Sequence, residues 1–236
     1  METIVVVGSK PDALMPDIPA THVLSANAAI DRAIEYRARF GSKVIALVNS
    51  TEVYIEHLRT ALTRGRPDEI VFLGEAVEDP LGFVRGTLGL PDTKVSVVSF
   101  RARHYLFRRT LGWRATLAML DYARFLPLRY VATNVLPDLV WKRTHTWMSR
   151  SSGLNAIFYA LERFPNTSVV AAGIGLSAGG HFYESEGPIF TEKTARVDRY
   201  TVARWTPAKH ARLETTDPTF AEVGRVAMWK GKTFSN

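Results

Sequence analysis

The chain opens with an unbroken apolar run, residues 3–7, closed by Gly8-Ser9. A β-branched run without polar alternation is the pattern of a parallel strand buried on both faces. Further runs that read as strands stand at 43–48, 69–73, 94–99 and 168–172. Between them the spacing becomes helical. In 28–40, Ile30, Ala33, Ile34 and Ala38 share one face, and Gly41 closes the segment. Thr51 is placed to cap a helix reaching Arg64, with Val53, Leu58 and Leu62 inward. The pattern then predicts a helix over 116–125, a short strand at 130–133 and a loop-rich stretch at 136–150. Leu154, Ile157, Phe158 and Leu161 form one helical stripe behind a serine N-cap, and short strands are expected near Val202 and Val226. Strands alternating with helices predict an α/β fold with a mostly parallel central sheet flanked by helices. No linker or repeat divides 1–236, so one domain is expected.

Composition narrows the chemistry. There are no cysteines, which excludes disulfides, thiolate metal sites and a cysteine nucleophile, and suits a reducing cytoplasm. No apolar stretch is long enough for a membrane span. Met1-Glu2-Thr3 before a valine run reads as a first strand and not as a signal peptide. Charge is uneven. Ten Lys/Arg and two acids fall within 101–150, so that segment accounts for the whole net charge of +7. Arg101, Arg103, Arg108, Arg109 and Arg114 alternate there with Tyr105, Phe107 and Trp113. Such a segment can lie on an anionic membrane, grip an acidic glycan or bind nucleic acid. It can equally be a helix with aromatic core residues and solvated arginines.

Several loop positions are candidates for a site. Gly8 and Ser9 end the first strand, where a glycine lets a ligand approach the backbone or simply makes a tight turn. No GxGxxG follows, which argues against a dinucleotide dehydrogenase. Asn27 and Asn49 fall where sheet-edge loops are expected; such residues contact a base or ribose, or cap a turn. Ser151-Ser152-Gly153 opens a helix, a natural seat for a carboxylate or phosphate, and a strand downstream ends at Gly173. Gly179-Gly180-His181-Phe182-Tyr183-Glu184 sets a histidine beside a carboxylate. In His210-Ala211-Arg212-Leu213-Glu214 the carboxylate lies four residues on, near enough on a helical turn to orient the ring. An oriented imidazole is a good general base near neutral pH. Metal ligation has little support: there is no HExxH and no Asp-x-Asp, and Glu184-Ser185-Glu186 is the nearest carboxylate pair.

In order, these pieces resemble the sialylmotifs of the eukaryotic-type sialyltransferase family (glycosyltransferase family 29). Val6-Val7-Gly8-Ser9 resembles the opening of its long motif, and Ser25-Ala26-Asn27-Ala28 the end of that motif, where an asparagine contacts CMP. Ser151 through Gly173 resembles the short motif. His181-Phe182-Tyr183-Glu184 resembles the third motif, and His210 to Glu214 the very short one. Ser9 stands where the family has asparagine, three residues instead of four separate His210 from Glu214, and the motif cysteines are missing. Those departures fit a distant bacterial member.

The resemblance implies a Rossmann-like GT-A variant: an inverting, metal-independent glycosyltransferase without cofactor. It would move a CMP-activated ulosonic acid, such as sialic acid or Kdo, to a glycan or lipid-linked glycan. His210 would deprotonate the acceptor, with Glu214 beside it, and His181 would bind the departing phosphate next to Tyr183. Gly8, Ser9, Asn27 and Asn49 would hold the nucleotide, and Ser151, Ser152, Gly153 and Gly173 would line the donor. The expected setting is the cytoplasm, with the basic segment attaching the enzyme to the inner membrane or to its acceptor. The rivals are a transferase using another nucleotide sugar and a binder of nucleic acid or another anionic polymer.

Overall fold

The computed structural model of the chain describes residues 2–10, 12–124, 150–176 and 192–235. His181, Tyr183, the carboxylates at 184–186 and the expected strand at 130–133 lie outside these residues, as does most of the stretch 136–150. In chain order the elements are β1 (Thr3–Val7), β2 (Met15–Pro16), β3 (His22–Ala26), α1 (Ile30–Phe40), β4 (Lys43–Asn49), α2 (Glu56–Gly65), β5 (Glu69–Leu73), α3 (Pro80–Gly82) and β6 (Lys94–Val98). Then come α4 (Phe100–Leu111), α5 (Arg114–Ala123), α6 (Ser152–Arg163), β7 (Ser168–Ala172), α7 (Glu192–Val202), α8 (Pro207–His210), β8 (Leu213–Thr215), α9 (Pro218–Gly224), β9 (Ala227–Met228) and β10 (Thr233–Phe234).

Among the described residues eight strands form the central sheet in the order β6-β5-β4-β3-β1-β7-β8-β9, and every neighbouring pair is parallel. β2 and β10 make a separate antiparallel ribbon. The chain winds outward from β1 in one direction through β3 to β6, then returns to β7 and winds the other way. Right-handed crossovers therefore place the helices of the two halves on opposite faces. On one face α1 and α2 bury Ile30, Ala33, Tyr36, Leu58 and Leu62 against Val5, Val7, Val23 and Phe72. On the other, α4 to α7 and α9 pack Phe107, Phe158, Val197 and Phe220 with Trp205 against Ile4, Val6, Leu24 and Leu47. The result is a doubly wound, Rossmann-like α/β fold.

Two local expectations are corrected. Thr51 does not cap a helix. Its hydroxyl turns back to Asn49 Oδ1 at 3.1 Å, and the helix begins at Glu56. Val202 ends the helix α7 and is no strand, because the buried Ala195, Asp198 and Val202 follow one helical stripe, and Val202 joins the same core as Trp205. The strand expected near Val226 is β9.

The long return from β6 orients α6. Its last turn is held at the amino edge of the sheet by Arg163, whose Nη1 and Nη2 donate to the two carboxylate oxygens of Glu69 at 2.9 and 2.7 Å. Its first turn, Ser152 onward, is thereby delivered to the carboxyl edge. No helix among the described residues is long and apolar enough to cross a membrane.

Candidate functional site

At the carboxyl edge, loops that are remote in sequence meet around Asn27. This residue follows β3 directly, in the left-handed region (φ 48°), which asparagine tolerates better than most side chains. Its Oδ1 accepts the backbone N–H of Asn49 at 2.8 Å. Its Nδ2 donates to Glu52 Oε2 at 2.7 Å and to Ser152 Oγ at 3.0 Å. Asn49 Nδ2 donates to the second Glu52 oxygen at 2.8 Å. Each amide thus has one consistent orientation, fixed by a carboxylate that only accepts. Burial raises the Glu52 carboxyl above its ordinary value, against the hydrogen bond from Asn49 and the charges of Arg103 and His57. Asn27, Asn49, Glu52, Ser152 and Gly153 are all half-buried, so the cluster forms a polar floor reachable from solvent.

Ser151 is the N-cap of α6, its Oγ accepting from Leu154 N at 3.1 Å. The helix dipole makes Ser152 and Gly153 a favourable seat for negative charge. Behind them Asp198 of α7 accepts the Ser151 N–H at 3.1 Å. Burial pushes the Asp198 carboxyl up to about 7, against hydrogen bonds from Ser151 and the charge of Arg150. Arg150 stacks 4.1 Å over Phe107. A carboxyl raised on folding binds its proton more tightly folded than unfolded. The stability it contributes is full below the unfolded value and is lost as pH rises towards 7. Melting curves from pH 4 to 8 should show that loss, and Asp198→Asn should flatten it; an unchanged slope would remove Asp198 as its source.

Arg103 also belongs here and not on the outer face of the basic segment. Phe100, Arg103, Phe107 and Leu111 follow one inward stripe of α4. Its Nη1 donates to Leu73 O at 3.4 Å, and Nε has no hydrogen-bond partner among the described residues. Burial lowers its pKa to about 10, Arg150 adds to that, and Glu52 opposes it. The helical period of the segment carried this signal. Arg101, Arg108, Arg109 and Trp113 do face solvent, whereas Arg114 is half-buried and donates to Trp205 O at 2.7 Å.

Gly8 and Gly173 sit at the switch point between β1 and β7, the usual ligand crevice of such sheets. Here the two loops are tied together. Gly8 N donates to Ala172 O at 2.8 Å and Lys10 N to Gly173 O at 3.0 Å. Arg32 of α1 holds Gly8 O and Lys10 O from beneath at 3.0 and 2.7 Å. A Cβ on Gly8 would stand 2.3 Å from Gly173 O, so the glycines serve loop-to-loop contact. Ser9 beside them is half-buried, and Lys10 pairs with Asp217, the N-cap of α9.

His210 does not join this site. β8 pairs in parallel with β7, Leu213 opposite Val169, so residues before Leu213 lie at the amino edge, across the sheet from Asn27. Nor do His210 and Glu214 share a helical turn: α8 ends at His210, and Glu214 lies within β8. The His210 ring packs 6.0 Å from Trp205. Burial lowers its pKa, and the charges of Arg114 and Arg225 lower it further. Its placement separates the expected base from the expected donor seat.

Among the described residues no group of three or more His, Cys, Asp or Glu could hold a metal ion. Comparison with known family models, curated proteins and solved structures gives no match.

Proposed function

We propose that the chain is an inverting glycosyltransferase, a GT-A variant, that binds a CMP-activated ulosonic acid at the carboxyl edge. The observation that carries this reading is the Asn27–Ser152 hydrogen bond. It joins two segments 125 residues apart, and they are the two that resemble the nucleotide- and donor-binding motifs of the family. In the reaction an acceptor hydroxyl attacks the anomeric carbon. The bond from that carbon to the phosphate oxygen breaks, CMP leaves with the electron pair, and the acceptor proton passes to a base. The start of α6 would hold the sugar carboxylate or the phosphate, where backbone dipoles favour negative charge. Asn27 and Asn49 would face the nucleoside. His181 would meet the departing phosphate, as the resemblance implies. With His210 at the far edge, Glu52 is the described carboxylate of this cluster, and its raised pKa suits it to accept the proton.

The test is thermal stabilisation of the protein by CMP, UDP, GDP and ADP with EDTA present. A ligand at about a hundredfold its Kd stabilises by about 2.7 kcal/mol. That corresponds to roughly 5–10 °C in a domain of this size. CMP alone should give this rise. A response to UDP in its place would move the donor to another nucleotide sugar. Indifference to all four, with salt-sensitive binding of an oligonucleotide, would overturn the transferase reading.

A further inference from the structure

The outward back of α4, with the corner that joins it to α5, is the most unusual surface among the described residues. Phe100, Arg103, His104, Phe107, Thr110 and Leu111 are buried, so the helix axis and roll are fixed against the core. That leaves Arg101, Tyr105, Arg108 and Arg109 on the opposite face, at the spacing of one helical stripe. Trp113 follows at the corner, 71% exposed, and Tyr105 is 60% exposed. No acidic residue lies anywhere in α4. Arg109 lies 5.5 Å from the Tyr105 ring centroid and reaches Glu162 only at 3.6 Å, remaining mostly exposed.

We propose that this stripe docks the protein on the surface of a bilayer containing anionic phospholipid. Two features select that occupant. Trp and Tyr with one apolar body and one polar tip are most stable at the headgroup boundary, where both ends are satisfied. Arginines beside them meet lipid phosphates while their stems cover apolar surface. The surface is also the outward back of a helix packed along its inner side, and its exposed aromatics are two, Tyr105 and Trp113, where a platform for a polymer strand would stack successive bases. Docking through α4 has a geometric consequence. Because α4 follows β6, its first turn with Arg101 stands at the carboxyl edge, the same edge as Asn27 and Ser152. An acceptor anchored in the bilayer would then approach that edge laterally. The docking itself does not depend on the donor chemistry.

The experiment is co-sedimentation of the full chain with vesicles of phosphatidylcholine alone and of phosphatidylcholine mixed with phosphatidylglycerol, without nucleotide. Binding should occur only with the anionic vesicles and weaken as salt rises. Arg109→Gln, which gives up the long 3.6 Å contact to Glu162, should reduce partitioning about fivefold, the worth of one charge near such a surface. Trp113→Ala should reduce it by a similar or larger factor. Both positions are exposed, so thermal melting of each variant should stay close to that of the parent and separates lost docking from lost folding. Equal binding to both vesicle types, no binding to either, or oligonucleotide binding lost in the same variants would overturn the proposal.

Discussion

Gly8→Ala should destabilise the protein by about 3 kcal/mol or more. In a chain of this size that is a fall in Tm of about 6–12 °C. The new methyl would meet Gly173 O at 2.3 Å and Gly173 C at 2.8 Å. Both are backbone atoms, and they cannot rotate away as a side chain can. Relief requires the loop after β1 to part from the loop after β7. That would break the hydrogen bonds from Gly8 N to Ala172 O and from Lys10 N to Gly173 O, and lift the carbonyls off Arg32. Arg32 is itself buried, so losing its acceptors adds a desolvation cost. Gly86→Ala is the control. A Cβ there meets nothing within 4 Å, and the residue is exposed in a helical turn. Its Tm should stay the same or rise slightly. Equal Tm values for the two variants would show that the β1 and β7 loops can separate at no cost.

Much of the fold was legible because buried parallel strands announce themselves. Thr3–Val7, Lys43–Asn49 and Glu69–Leu73 are packed from both sides, so apart from polar residues at their ends they are apolar without alternation. β8 was not legible. Three residues, Leu213 to Thr215, make no pattern alone, and the strand exists because β7 offers its edge. Missing it turned His210 and Glu214 into a helical pair and moved them to the wrong edge. A spacing of four residues implies proximity only inside a helix, and the helix stops at His210. Asn27, Asn49 and Ser151 to Gly153 were visible as loop and cap residues. Glu52 and Asp198 were not, because their roles arise from contacts to Asn27 and Ser151, which are remote in sequence.

Asn27→Ala should remove most of the CMP response and lower stability at the same time. The amide makes three hydrogen bonds that link β3, the loop after β4 and the start of α6. Its removal leaves Glu52 with the Asn49 amide and strips the Asn49 N–H of its acceptor. Each such loss in a part-buried site costs about 1–3 kcal/mol. Holding alanine at φ 48° adds about 1 kcal/mol more. A fall in Tm of about 10 °C is the expected sum for a domain of this size. Asn27→Gly separates backbone from chemistry. Glycine adopts the left-handed region freely, so it should recover the strain but none of the three hydrogen bonds. If the amide positions the nucleotide seat, the glycine variant melts higher than the alanine variant yet stays unresponsive to CMP. Full CMP stabilisation in the glycine variant would reduce Asn27 to a conformational role. The donor would then have to be placed by the start of α6 without it.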